Sequence, residues 1–161
     1  MVKGYMINMT GDTLKGEIKM NPKKDFDNFN RVSFKDANGV QKNYKPDKVK
    51  GYGFENKHFI SSKLDGEPTF YKVLSKGNLL LLEVMVEVQQ MNEITTKTEY
   101  YFAKADESEY TKLKENKFRK QFGEVMKDNP EILSNADEGK KFEIEKVVEI
   151  VNHYNDWAKT K

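Results

Sequence analysis

Short runs of alternating side chains, separated at close intervals by tight-turn residues, fill the first hundred positions of this chain and limit what it can fold into. The runs meet at Gly11-Asp12, at Asn38-Gly39, at Asn56 and at residues 76–78. Glycine and asparagine supply the positive φ angles that two-residue hairpins need. The pattern predicts about eight or nine short antiparallel strands rather than alternating strands and helices.

The second run, "TLKGEIKM", carries a glycine in its interior at Gly16. A glycine inside a strand is typical of a bulge or of close backbone contact, both common in strongly bent small barrels. The sequence therefore predicts that the N-terminal region is a strongly curled antiparallel sheet or a small barrel.

The run from Leu79 to Gln90 alternates most clearly. One face carries leucine and valine throughout, whereas the other changes from leucine to glutamate at Glu83 and Glu87. Since successive side chains of a strand point to opposite faces, the second face should pass from buried to solvent-exposed along the strand. We expect a loop over residues 90–96 and a last strand over residues 97–105.

Helical spacing replaces strand alternation after Ala105. Apolar residues predict one helix over residues 107–128, and Asn129-Pro130 is a typical helix start. That second helix should end near Gly139. The apolar stripe predicting a third helix, over residues 141–157, consists of Ile144, Val147, Val148, Val151 and Tyr154.

These elements together predict an α+β fold with two or three C-terminal helices packed on the sheet. The helical part, residues 105–161, has about 55 residues and would make a marginal core alone. We therefore expect a single domain over 1–161, comprising a β region at 1–104 and a helical region at 105–161.

Charge and composition exclude several classes of protein. The chain has 161 residues with 28 basic and 26 acidic side chains, a net charge of +2, which makes a nucleic-acid partner unlikely. It has no cysteine, which excludes disulfides, thiolate metal sites and cysteine nucleophiles. The longest apolar run, at residues 79–86, is too short to span a bilayer, so no transmembrane segment is expected.

The sequence offers little catalytic chemistry. It has no phosphate-binding loop, dinucleotide fingerprint, zinc-protease or nucleophile-elbow motif. Its two histidines, His58 and His153, each lack a recognisable partner motif. We expect no catalytic residues, metal or cofactor, and a hydrolase-type enzyme is a distant third interpretation that would require carboxylates clustered with His58.

Aromatic side chains on both faces of the predicted strands supply the candidate binding residues. Such a distribution indicates either an exposed aromatic surface or a barrel with an inner cavity. If a barrel forms, Glu83 and Glu87 would line it. The candidates for contact with a protein, a polymer or a small apolar ligand are Tyr52, Phe54, His58, Glu83, Glu87, Tyr100 and Tyr101.

Four stretches carry a resemblance to a known family. "GYMINMTGDTLKGEIKMNP", with the later "NYKPDKVKGYGFENKHFIS", resembles the opening of a family of uncharacterised, usually exported bacterial proteins. The shared positions include Gly11, Asp12, Gly16, Pro46 and Tyr52. The stretches "FGEVMKDNPEI" and "VVEIVNHYN" resemble that family's helical tail.

The resemblance implies a place in the bacterial envelope or periplasm, with the cytoplasm as the alternative because no secretion signal is visible at Met1. The family has no assigned activity, so the resemblance implies no mechanism. The sequence thus predicts a non-catalytic binding or interaction domain. The alternative prediction is a small barrel that binds an apolar ligand.

Overall fold

The computed structural model describes residues 1–20, 25–134 and 142–161, and all statements below concern these residues. They form an antiparallel sheet and α-helices, which confirms the α+β class. The strands are β1 Val2–Asn8, β2 Thr13–Ile18, β3 Val32–Lys35, β4 Gln41–Tyr44, β5 Val49–Phe54, β6 Lys57–Leu64, β7 Glu67–Ser75, β8 Leu79–Gln90, β9 Glu93–Lys104 and β10 Thr111–Lys112. The helices are α1 Phe118–Val125, α2 Pro130–Ser134 and α3 Ile144–Ala158, with a 3₁₀ helix at Asp25–Phe29.

The strands pair in the order β10-β9-β8-β7-β6-β5-β1-β2-β3-β4. In the described chain the two end strands do not pair with each other, so the sheet is open, and the expected barrel or strong curl is wrong. Closure needs two edge strands that can share a ladder. Here β4 has four residues and β10 only two, so neither end strand offers a long edge.

Gly16 does not form a bulge. The register of β2 against β1 runs continuously through the Gly4–Gly16 pair, and the irregularity of β1 lies instead at Ile7 and Asn8, opposite β5. Gly16 provides close contact, because a side-chain carbon there would meet the ring of Phe34 at 2.7 Å. Of the two alternatives predicted for Gly16, the close contact is therefore found and the bulge is not.

The chain divides into two compact units. Unit 1 comprises Met1–Val73 and Val84–Thr98, and unit 2 comprises Leu74–Glu83 and Glu99–Lys161. Each unit has its own buried side chains and is described separately. The expectation of one domain over 1–161 stays a prediction.

Stacked aromatic rings form the core of unit 1. Tyr52 and Phe59 face each other across β5 and β6 with ring centroids 4.6 Å apart, and Phe70 meets Tyr52 edge-on at 4.9 Å. The Tyr52 hydroxyl donates a hydrogen bond to the Asn28 carbonyl, and Thr69 donates to the Phe29 carbonyl at 2.9 Å. Burial raises the pKa of Tyr52, so this hydroxyl keeps its proton. These two bonds hold the 3₁₀ helix on the core.

The apolar stripe of α3 forms the core of unit 2 together with the first residues of β8 and the last residues of β9. Val147, Val151 and Tyr154 are buried as the sequence predicted, whereas Ile144 and Val148 are partly buried. The rest of the buried cluster consists of Leu79, Leu81, Phe102, Leu113, Phe122 and Met126. Burial of side chains of this size supplies most of the driving force for folding the unit.

A buried side-chain amide joins α3 to the β7–β8 connection. Asn155 accepts a hydrogen bond from the Leu79 N–H at 2.8 Å and donates to the Leu79 carbonyl at 2.8 Å and to the Ser75 hydroxyl at 3.0 Å. Ser75 in turn donates to Asn152 at 2.5 Å. Gly77 leaves room for this amide, since a side-chain carbon there would lie 2.6 Å from Asn155 Cγ. The amide thereby pairs both backbone groups of Leu79, as a neighbouring strand would.

The helical predictions succeed unequally. The predicted helix over residues 107–128 is wrong in its first half, because Thr111 and Lys112 pair with β9 as β10, and α1 begins only at Phe118. Tertiary pairing outweighs the weak helical spacing of residues 107–117. The second helix begins at Pro130 as predicted, and its predicted end near Gly139 lies outside the described residues. Helix α3 begins at Ile144, later than the predicted residue 141, and otherwise matches its prediction; Lys141 is also outside the described residues.

Replacing Asn155 with alanine should destabilise unit 2 strongly. The change leaves the buried N–H and carbonyl of Leu79 without partners, which should cost about 2–4 kcal/mol. Urea unfolding followed by the fluorescence of Trp157, the single tryptophan of the chain, measures this cost. The control is His153→Ala on the exposed side of α3, expected to cost about 0.5 kcal/mol or less. Equal costs for the two variants would contradict the role assigned to Asn155.

Candidate functional site

Two of the predicted binding aromatics lie in the core. Tyr52 is 1% exposed and Phe54 is 2% exposed, and both belong to the aromatic stack of unit 1. An aromatic surface that binds a partner cannot be formed by these two side chains. Tyr52, Phe54 and Phe59 stack on one another, so the aromatic rings of β5 and β6 share one face and serve packing inside unit 1.

Tyr100 and Tyr101 are also engaged within their own unit. Tyr101 is buried and donates a hydrogen bond to Glu99 at 3.3 Å, and Glu99 is paired with Lys112 at 2.6 Å. Tyr100 is half-buried, with its ring centroid 6.1 Å from that of Phe142. The predicted aromatics therefore do not form a continuous exposed surface.

Acidic residues surround the Tyr100 hydroxyl. Burial raises the pKa of Tyr100, and the nearby carboxylates of Glu83, Glu145 and Glu115 raise it further. A negative charge on the phenol would be poorly solvated and would be repelled by three carboxylates. Tyr100 is therefore a neutral hydrogen-bonding group over a wide pH range, not an acid that ionises near neutrality.

His58 is exposed and is paired with a phenol. Its Nδ1 is hydrogen-bonded to the Tyr5 hydroxyl, with ring centroids 5.7 Å apart. The Tyr5 ring lies close over Gly53, where a side-chain carbon would come within 2.5 Å of it. The cluster of His58 with carboxylates that a hydrolase would require is not among the contacts described for this residue. This pair is a surface contact between β1 and β6.

Glu83 and Glu87 mark the passage of one face of β8 from the core to solvent. Leu79 and Leu81 are fully buried, Glu83 is partly buried and Glu87 is exposed, which confirms the predicted gradient. Because the sheet is open, the two glutamates do not line a barrel interior. The apolar-ligand alternative thus loses the enclosed cavity on which it depended.

The predicted loop over residues 90–96 is wrong, because most of it is strand. The structure turns at Met91 and Asn92, with Met91 at φ 54°, and β9 already begins at Glu93. We call residues 87–98 the distal hairpin. Residues 89–98 are all exposed, including Met91 at 97% and Ile94 at 67%. Since successive strand residues point to opposite faces, both faces of β9 are exposed over residues 93–98.

One edge of β9 is also open along the distal hairpin. Among the described residues, β10 pairs with β9 only opposite Tyr101 and Phe102, and Leu113 donates to the Tyr100 carbonyl at 2.7 Å. The backbone groups of Tyr100 therefore point to the outer edge. Because this direction alternates in an antiparallel strand, the N–H and carbonyl groups of 94, 96 and 98 point to the same edge. They form a row of donors and acceptors that a further strand can pair.

Other features of the described residues are weaker candidates for a functional site. A polar groove of about 260 Å³ is lined by Lys19, Asp27, Asn28, Arg31, Ser33, Gln41 and Asn43. Four of these side chains already pair with one another, Arg31 with Asp27 at 3.6 Å and Gln41 with Ser33 at 2.9 Å. Within the same described ranges, no group of histidine and carboxylate side chains could hold a metal ion, and no helix is long and apolar enough to cross a membrane.

Comparison of the chain with protein-family models, with curated proteins and with solved structures gave no match. The candidate site therefore rests on the geometry of the distal hairpin. Sequence reasoning missed this site because "QQMNEI" is polar and centred on an asparagine, which is typical of a loop. The available indication was the β-branched run Ile94-Thr95-Thr96, followed by Thr98.

The raised pKa of Tyr100 gives a pH-dependent prediction. Its neutral form stabilises unit 2 below the unfolded-state value of 10, and that contribution is lost as the pH rises through the higher folded-state pKa. Glu83→Gln removes the first of the three repelling carboxylates, so Tyr100 should ionise at lower pH. Phenolate absorbance titration, with the Tyr100→Phe curve subtracted, measures the shift. Glu87→Gln, further along the same face, is the control, and an unmoved Glu83→Gln curve would contradict the assignment.

Proposed function

We propose that this chain is a non-catalytic interaction domain that binds a protein partner by strand addition to the outer edge of β9. The observation that carries the proposal is the exposed segment 93–98, whose edge backbone groups face solvent beside the exposed Met91 and Ile94. Added strands gain affinity from main-chain hydrogen bonds and specificity from alternate side chains. The site offers both.

A comparison of β9 with β4, the strand at the other end of the sheet, supports the choice of β9 as the binding edge. Open edges invite aggregation, and proteins usually shorten them or interrupt them with proline. Strand β4 fits that rule, because it has four residues and Pro46 follows two positions later. Strand β9 has twelve residues without proline, and its exposed part is rich in threonine. An edge left long and regular is consistent with a partner that covers it.

The proposed partner is a protein with a strand to donate, because the site presents backbone donors and acceptors rather than a cavity. This replaces the aromatic surface as the basis of the binding role predicted from the sequence. The resemblance to exported bacterial proteins supports a place in the bacterial envelope, and an envelope protein is accordingly the proposed kind of partner.

Photo-crosslinking tests this function. A benzophenone amino acid in place of Ile94 should give a discrete covalent adduct when the host cells are irradiated, because the side chain lies at the proposed contact. The matched control carries the same group in place of Val40, an exposed apolar residue at the β3–β4 turn. Adducts are detected by their increased mass in denaturing gels and identified by mass spectrometry.

Replacing Thr96 with proline tests the main-chain pairing itself. Its N–H points to the open edge, so proline should remove one bond to the added strand while leaving the β8–β9 ladder intact. Thr96→Pro should therefore strongly reduce the Ile94 adduct, with an unchanged circular dichroism spectrum. Adducts of equal yield at positions 94 and 40, or none at 94, would overturn the proposed function.

A further inference from the structure

We infer that the strand added to β9 is β9 of a second copy of this chain, paired antiparallel about a two-fold axis at Thr95. This inference rests on the proposed function and names its partner. A two-fold pairing needs a strand whose sequence is complementary to itself when reversed. The segment "EITTKTE", residues 93–99, can be tested for that property directly.

The direction of the backbone groups limits the possible registers. Residues 94, 96 and 98 point their N–H and carbonyl groups to the open edge, so hydrogen-bonded pairs across the axis must join these residues to one another. With the axis at Thr95, Ile94 of each copy pairs with Thr96 of the other. Thr95 then lies opposite Thr95 of the other copy, at a non-hydrogen-bonded position where side chains approach most closely. Cross-strand threonine pairs are favourable.

Charge selects this register among those that the backbone allows. With the axis at Thr95, Glu93 of each copy lies opposite Lys97 of the other, which gives two opposite-charge pairs. Moving the axis by one residue to Thr96 places Glu93 opposite Glu99, and moving it to Lys97 places two lysines face to face. Moving it to Ile94 leaves Glu93 opposite Thr95 and Lys97 opposite Met91. Like charges directly opposite are destabilising, and of these registers only the Thr95 register forms opposite-charge pairs without a like-charge pair.

The pairing is compatible with the contacts that these residues make in a single chain. Glu93 and Lys97 are both exposed. The ammonium group of Lys97 has three donors, so it can reach a carboxylate of the second copy in addition to its contacts in its own chain. One pair of short strands buries less area than the roughly 1,200 Å² typical of stable complexes. We therefore expect a dimer that dissociates on dilution.

Sedimentation velocity across a concentration series of the purified chain tests the inference. The unmodified chain should pass from monomer to dimer as its concentration rises. Glu93→Lys places two lysine pairs across the axis, and Lys97→Glu places two glutamate pairs there, so each should weaken the dimer at least about tenfold. The double variant Glu93→Lys with Lys97→Glu restores both opposite-charge pairs and should restore the dimer.

Glu87→Lys is the matched control, since it makes the same change of charge at an exposed residue of β8, away from the open edge. It should leave the dissociation constant within about twofold. Circular dichroism confirms that each variant is folded. A chain that stays monomeric at all concentrations, or a double variant no better than the single ones, would overturn the inference. If the Ile94 adduct then contains a different protein, the proposed function stands and only the choice of partner fails.

Discussion

The side-chain amide of Asn155 is the interaction on which unit 2 depends, because it pairs the backbone of Leu79 at the point where β8 begins. A connection between strands normally meets water, yet Ser75 and Leu79, which flank this one, are buried and so need partners for their polar groups. Asn155 supplies them from α3, and Gly77 gives it the space. With the beginning of β8 fixed in this way, Leu79 and Leu81 can enter the core formed by α1 and α3.

Strands β8 and β9 differ sharply in burial along their length. Near Leu81 and Phe102, β8 and β9 are buried by apolar side chains, whereas the distal hairpin is exposed on both faces of β9. Hydrophobic burial therefore cannot account for the order of the distal residues, and the β8–β9 ladder with its two-residue turn must maintain it. An isolated two-stranded ladder is only marginally stable in water. A further strand at the open edge would add the hydrogen bonds and the burial that the distal hairpin lacks.

The sequence predicted the local structure better than the architecture or the site. The turns at Gly11, Asn38-Gly39 and Asn56, and the stripe of α3, follow from residue preferences at short range, and all are found. Closure into a barrel depends on edge-strand pairing between distant residues, which periodicity does not encode. The buried positions of Tyr52 and Phe54 depend on stacking across strands, and sequence cannot distinguish such rings from exposed ones. The edge of β9 was missed because its residues other than Ile94 are polar, although the β-branched character of Ile94, Thr95 and Thr96 was visible.

Amide hydrogen exchange measured residue by residue tests the central claim, the open edge of β9, most directly. In dilute protein the amides of Ile94, Thr96 and Thr98 should exchange fast, because they point to solvent, while those of Thr95 and Lys97 should be slower, because they point to β8. At high protein concentration the difference should diminish as the edge amides become protected. Protection of all five amides in dilute protein would show that the edge is already covered within the chain, and would contradict the account.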